Sequence, residues 1–165
     1  MGKYLLTAFL LLPFCIGFAQ QRIGYTNSDQ LLLAMPEAKQ ADASIKTLEE
    51  QFVKQIEQKQ KAFQEAYSRY MQGVEAGQPQ NPAKEKELEA QSQNLERLQE
   101  DARTKVAQRR KDLFDPIVTK IREAINAVAA EMKLNYVLDE ATGTFVPGEL
   151  ATDITPAVKQ KLGLQ

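Results

Sequence analysis

The segment GVEAGQPQNP, residues 73–82, decides the fold, because it separates two long stretches that favour helix. It holds two Gly and two Pro in ten residues, which is a turn signal. Upstream, nothing breaks a helix from Pro36 to about Gln72, and the stretch is rich in strong helix formers. Downstream, Asn81 and Pro82 supply an N-cap and a first-turn residue for a second helix. The sequence therefore predicts a hairpin of two long helices.

Each predicted helix carries one narrow apolar stripe, the width of a coiled-coil seam rather than of a globular core face. The first stripe consists of Ile45, Leu48, Phe52, Ile56, Phe63, Ala66 and Tyr70. The second consists of Leu88, Leu95, Leu98, Ala102, Val106, Leu113, Ile117, Ile121, Ala124, Val128 and Met132. We expect the two seams to cover each other in antiparallel pairing, with Glu37 opposite roughly Val118.

The second predicted helix extends beyond the start of the first. From residue 117 onward it is apolar on most sides, so the rest of the chain must bury this end. That remainder predicts a strand at Arg22–Thr26, a short helix capped by Ser28, strands at residues 135–139 and 144–146, and a last helix from Asp153. The predicted fold is mostly α with a small β body. The body comprises residues 20–36 and 117–165, and the arm is a helical hairpin, residues 37–116, with tip loop 73–82.

A body of about 60 residues is marginal alone, and a small open sheet leaves exposed edges. We therefore expect the protein to form oligomers through its body. The residues that we expect at the body and its contacts are Ile23, Tyr25, Tyr136, Val137, Leu138 and Ile154.

Residues 1–19 have the pattern of a signal peptide, with Lys3 before the apolar run Tyr4–Phe18. Small residues at Gly17 and Ala19 predict cleavage between Ala19 and Gln20, and hence a periplasmic protein. The alternatives are a membrane anchor, for which the apolar run is short of the roughly 20 residues needed, and a lipoprotein. After cleavage the chain has no Cys, and its net charge is 20 − 22 = −2.

The composition excludes most enzyme classes. The 165 residues include no His and a single Cys, which removes His-based acid–base chemistry, Ser-His-Asp and Cys-His sites, and His- or Cys-ligated zinc. No phosphate-binding G-x-x-x-x-G-K-[ST] motif is present. A net charge of −1 argues against a nucleic-acid binder. We expect neither an enzyme nor a cofactor or metal site.

Two parts of the arm are candidate contact surfaces. The run RTKVAQRRK, residues 103–111, holds five basic residues and no acid, and it either meets clients or lipid head groups or pairs with Glu49 and Glu50 across the hairpin. Near the tip, Phe63 and Tyr70 are expected in the seam between the helices. Tyr67, Met71 and Val74 cannot all face the same partner helix, so some of them are free to contact clients. The candidate client-binding residues are Tyr67, Met71, Val74, Arg103, Arg109, Arg110 and Lys111.

Asp115 and Pro116 lie where the arm meets the body. Pro inside a helix removes a backbone hydrogen bond, whereas Asp-Pro is also a common helix start. The long helix is therefore expected to kink or to restart here, and the position is a candidate hinge.

Nearly the whole mature chain resembles the Skp/OmpH family of periplasmic chaperones, and the resemblance is most specific at its two ends. The similar segments are RIGYTNSDQLL at residues 22–32, MPEA at 35–38, IREAINAVAAEMKLNYV at 121–137 and DITPAVKQKL at 153–162. The resemblance implies a homotrimer in which strands of three bodies close a barrel and three hairpins surround a cavity. Well-studied members are basic, whereas this chain is slightly acidic.

The resemblance therefore implies an ATP-independent holdase that binds unfolded outer-membrane β-barrel proteins between its arms and prevents their aggregation. Peripheral contact with membrane lipid stays open, and no nucleic-acid partner is expected. The alternative is a structural coiled-coil adaptor of the cell envelope.

Overall fold

The computed structural model describes residues 21–164 and contains three strands and four helices in that range. In chain order they are β1 (Ile23–Thr26), α1 (Ser28–Ala34), α2 (Pro36–Glu75), α3 (Pro82–Glu131), β2 (Tyr136–Asp139), β3 (Ala151–Asp153) and α4 (Thr155–Lys161). The predicted signal peptide and its cleavage site between Ala19 and Gln20 lie outside the described residues. Among the described helices, none is both long and apolar enough to cross a membrane.

Helices α2 and α3 form the predicted antiparallel hairpin. The loop between them spans only residues 76–81, because α2 continues through Glu75, three residues past the predicted end. Asn81 caps α3 as expected, with its side-chain oxygen accepting hydrogen bonds from the backbone N–H groups of Ala83 and Lys84 at 3.1 and 3.3 Å. Across the hairpin, Lys120 Nζ lies 2.7 Å from Glu37 Oε1. The register is therefore two residues from the predicted pairing of Glu37 with Val118.

The body contains a parallel three-stranded sheet in the order β2-β1-β3. Ile23 pairs with Tyr136 on one side of β1 and with Ala151 on the other. The predicted first strand and the strand at residues 135–139 are confirmed. The predicted strand at residues 144–146 is wrong, because Ala151–Asp153 pairs with the second edge of β1 instead. The segment 144–146 belongs to the loop that crosses from β2 to β3.

All four helices contribute to one buried cluster beneath the sheet. Its members are Leu31, Met35, Ala38, Ala41, Ile117, Ile121, Ala124, Val128, Ile154 and Val158. The central strand reaches this cluster through Gly24, where an added Cβ would lie 2.6 Å from Leu134 Cδ1 and 3.2 Å from Ile154 Cγ2. Glycine is thus required by the close approach of β1 to the core. Two residues further along β1, the buried hydroxyl of Thr26 forms a hydrogen bond of 3.2 Å with the hydroxyl of Thr155.

Two local predictions about helix ends need correction. The cap of α1 is Asn27, whose side chain accepts a hydrogen bond from the N–H of Gln30 at 3.0 Å, and Ser28 is the first helical residue. Both residue types cap well, so sequence alone cannot place the boundary between neighbours. The second correction concerns Asp115 and Pro116, which lie inside one continuous helix. The helix therefore does not restart there, because Leu113 before the proline and Ile117 after it pack against the same buried cluster. The kink, the other expected outcome, stays a prediction.

Candidate functional site

The two faces of the sheet are covered very differently. Side chains alternate along a strand, so Gly24 and Thr26 point to the helices together with their β2 partners Val137 and Asp139. Ile154, directly after β3, is fully buried on the same side. Val137 and Ile154, both expected in the body, therefore contribute to the core of the chain itself.

The opposite face of the sheet carries the remaining predicted body residues. Ile23 and Tyr25 are only partly buried, and their β2 partners Tyr136 and Leu138 are 59% and 41% exposed. We call these four residues the outer sheet face. All-parallel sheets are found almost only with both faces covered. The outer sheet face is therefore an apolar surface that the described chain leaves largely open.

The loop between β2 and β3 adds to this open surface. Phe145 packs edge-on against Tyr25, with ring centroids 6.0 Å apart and an angle of 73° between the rings. Beside it, Val146 and Leu150 are 90% and 74% exposed. This contribution was not expected from the sequence, because residues 144–146 were predicted to form a strand. The signal that could have identified a contact loop was the large apolar pair Val146 and Leu150 on either side of Pro147-Gly148-Glu149, a turn sequence.

Near the arm tip, the predicted apolar candidates divide between exposed and partly buried positions. Tyr67 and Met71 are exposed, and the Tyr67 ring lies 6.1 Å from that of Phe63. Val74 is half-buried beside Tyr70, in a groove of about 580 Å³ at the tip. The Tyr70 hydroxyl donates a hydrogen bond to Glu85 Oε1 at 2.6 Å, and this bond raises the pKa of Tyr70. The hydrogen bond between Tyr70 and Glu85 thus links α2 to α3 near the tip, whereas Tyr67 and Met71 stay exposed to solvent.

The basic run of α3 is only partly paired across the hairpin. Arg110 Nη2 lies 3.9 Å from Glu49 Oε1, and Lys105 Nζ lies 6.0 Å from the centre of the Phe52 ring. Lys111 pairs instead with Asp115 on its own helix, and this hydrogen bond raises the pKa of Lys111. Within residues 21–164, Arg103 and Arg109 make no ion pair closer than 4 Å. Pairing across the hairpin therefore accounts for one arginine and leaves most of the run in solvent.

Glu37, at the start of the arm, and Asp139, at the end of β2, are acidic groups with shifted pKa values. The hydrogen bond from Lys120 holds the pKa of Glu37 below its ordinary value. Partial burial raises the pKa of Asp139, but hydrogen bonds from Ser28 and Ala141 outweigh it and leave that pKa lowered. The two backbone donors lie 3.0 and 3.1 Å from Asp139 Oδ1. Asp139 thus ties the end of β2 to the start of α1.

Sequence reasoning also missed a groove halfway along the arm. Phe52 and Val106 of the two seams line it, and Val53 at its edge is 52% exposed. The sequence signal for this groove was Val53, an apolar residue that follows Phe52 and lies one position off the apolar stripe of the first helix. In the described part of the chain, no group of three or more acidic side chains is placed to hold a metal ion.

Comparisons with known proteins agree with this architecture. The family described as outer membrane protein (OmpH-like) matches residues 22–162. The fold is similar to the crystal structure of a candidate OmpH-like outer membrane chaperone from Caulobacter crescentus, with a TM-score of 0.67 at 18% identity, over 87% of this chain and 85% of that one. A comparison with curated proteins gives no match. Since the family match covers both ends of the described chain and the whole hairpin between them, the protein belongs to the OmpH-like outer membrane protein family.

Proposed function

We propose that this protein is an ATP-independent periplasmic holdase chaperone that binds unfolded outer-membrane β-barrel proteins between its helical arms. Membership of the OmpH-like family and the fold shared with a candidate outer membrane chaperone support this role. The proposed form is a homotrimer exported by cleavage of the signal peptide between Ala19 and Gln20. Holding is passive, and no catalytic residue or cofactor takes part.

The observation that carries the proposal is the contrast between the outer sheet face and the arm. The outer sheet face is apolar, and parallel sheets are almost always covered on both faces. The bodies of the other copies in the trimer are the economical cover for it. The two helices of the arm already pair with each other along the hairpin, so the arm needs no further copy of the chain to complete its helix pairing. Assembly through the bodies therefore leaves the arms free to project and surround a client.

The proposed arms hold clients through many weak contacts. Tyr67 and Met71 near the tip offer adaptable apolar contacts, and Arg103 and Arg109 offer cations that no partner in the described chain neutralises. Several arms acting together raise affinity through effective concentration without any single strong site. The same cations suit peripheral contact with lipid phosphates.

Client binding by this protein should depend only modestly on salt. The mature chain has a net charge of 20 − 22 = −2, and opposite charges are mixed along both arm helices. Salt screens exposed charges beyond about 8–10 Å, so little net attraction is available for it to remove. A hundredfold fall in client affinity between low and moderate salt would show that the basic run dominates binding.

The test combines an aggregation assay with a count of subunits. A urea-unfolded porin is diluted into buffer without nucleotide, and light scattering is followed with and without the protein. We expect suppression for the porin and for an unrelated β-barrel protein, and a mass of three chains by multi-angle light scattering. Unchanged aggregation of both substrates would refute the holdase function.

Two variants separate the roles of body and arm. A chain with residues 45–110 replaced by a short turn should keep the oligomeric state but lose the suppression of aggregation. Leu138→Asp, on the outer sheet face, should instead dissociate the oligomer, whereas Val53→Asp on the arm should not. The adaptor alternative predicts one folded partner and no effect on unfolded porins.

A further inference from the structure

A groove of about 710 Å³ lies between α2 and α3 halfway along the arm, and we call it the mid-arm groove. Its apolar lining comes from both seams and includes Phe52, Ile56, Ala102 and Val106. Val53, at its edge, is 52% exposed although its side chain is purely apolar. The hairpin thus presents an open apolar channel outside the body and away from the tip.

The charge around the mid-arm groove is unbalanced. Arg103 and Arg110 both line it, whereas Glu49 is the one acidic residue among its described lining. Glu49 already lies 3.9 Å from Arg110, and Arg103 has no ion-pair partner within residues 21–164. Positive charge therefore remains beside an apolar floor, on a chain whose net charge is −1. An occupant that combines apolar and acidic side chains complements both features.

The length of the groove fits a short extended segment. From Gln99 to Arg110, α3 rises about 16 Å, at roughly 1.5 Å per residue. An extended chain covers that distance in about five residues, at roughly 3.3 Å each. Since successive side chains of a strand point to opposite sides, two or three of the five face the groove and the others face solvent and the arginines.

We propose that the mid-arm groove binds one extended segment of an unfolded polypeptide in which apolar and polar side chains alternate and some of the polar ones are acidic. This inference rests on the proposed holdase function and specifies what its arm recognises. Strands of transmembrane β-barrels have this two-residue alternation, with apolar side chains on the lipid-facing side. Those side chains lie in the groove, and carboxylates on the other side approach Arg103.

Peptide binding to the full-length mature protein tests the proposal. Three labelled nine-residue peptides are compared by fluorescence anisotropy: alternating Leu and Glu, the same residues in two blocks, and alternating Leu and Lys. We expect the alternating acidic peptide to bind most tightly. Val53→Ser should weaken it about fivefold through lost apolar contact, and Arg103→Gln about threefold at low salt.

A matched control is Val118→Ser, which changes the same residue type at a position 42% exposed on α3, outside the mid-arm groove. Its peptide affinity should equal that of the unchanged protein, and circular dichroism should show the same helix content for all three variants. Equal affinity for the alternating and blocked peptides would overturn the proposal, and so would full affinity in Val53→Ser.

Two further outcomes separate this inference from its alternatives. If Val53→Ser lowers self-association of the protein alone, the groove is a contact between copies and the proposal is overturned. If the protein suppresses porin aggregation but binds no peptide, the inference fails and the holdase function stands. If it binds the alternating peptide but does not suppress aggregation, the holdase function fails and the groove stands as a peptide site.

Discussion

The body and the arm of this protein are stabilised in different ways. In the body, one buried cluster combines residues from all four helices, and Leu31, Ile154 and Val158 are fully buried. Along the arm beyond that cluster, only Ile45, Leu88 and Ala102 among the described residues are buried. The body therefore depends on contacts distant in sequence, whereas the arm repeats one local helix pairing. Substitutions should consequently act strongly in the body and weakly in the arm.

The same substitution in both regions tests this difference most strongly. Leu31→Ala should lower the free energy of unfolding by about 3 kcal/mol, because it leaves a cavity in a closed core. Leu95→Ala, in the arm seam, should cost about 1 kcal/mol, because its site is already partly open to water. Urea unfolding followed by circular dichroism at one protein concentration gives both values. Equal losses would refute the comparison.

Overpacking at the centre of the sheet should have the next largest effect. Gly24→Val places side-chain atoms against Leu134 and Ile154, and should cost about 2 kcal/mol in unfolding free energy. Gly143→Val is the control, because nothing lies within 4 Å of a Cβ added there. Thermal unfolding should separate the two variants, and a stable Gly24→Val protein would show that β1 can move away from the core.

The junction of the two regions is tested by Pro116→Ala. The new N–H can donate to the carbonyl of Asp112, so stability should rise by about 1 kcal/mol and hydrogen exchange near residues 112–118 should slow. Pro82→Ala is the matched control, since a donor in the first turn of α3 has no helical acceptor.

The hinge prediction for Asp115 and Pro116 needs a distance measurement as well. Cys15 is the only Cys in the sequence, so Cys variants of residues 20–165 take spin labels at chosen sites. Labels at residues 75 and 149 report the distance from tip to body. A narrower distribution of this label-to-label distance in Pro116→Ala than in the unchanged protein would support a hinge. An unchanged distribution would show that the helix does not bend as a hinge at this position.

The smallest expected effect concerns pH and the Asp139 contact between β2 and α1. Because the pKa of Asp139 is lowered in the folded protein, its ionised form stabilises the fold above the ordinary pKa of the group. That contribution is lost as the pH falls below about 4 and through the lowered pKa. Asp139→Asn should therefore cost about 0.5 kcal/mol at pH 7 and progressively less as the pH falls through the lowered pKa. A difference independent of pH would contradict this assignment.

The sequence by itself determined the hairpin, its register to within two residues and the start of α3. Asn81 and Pro82 predicted the start of α3 because capping depends on neighbouring residues alone, and the paired seams predicted the contact of Glu37 near Val118 within two residues. The first two strands were equally predictable, since each is a short alternating or β-branched run between turn residues. These signals are local or periodic, and tertiary context reinforces them.

Only the tertiary structure decided the sheet and the surfaces that it leaves open. Ile23 and Tyr136 pair across 113 residues of sequence, so neither the parallel direction nor the facing of Val137 toward the core follows from local pattern. The third strand is Ala151–Asp153 rather than residues 144–146, because the buried position of Ile154 fixes which segment reaches β1. The mid-arm groove likewise exists only where two helices meet. Such features arise from the packing of distant segments, which no single stretch of sequence encodes.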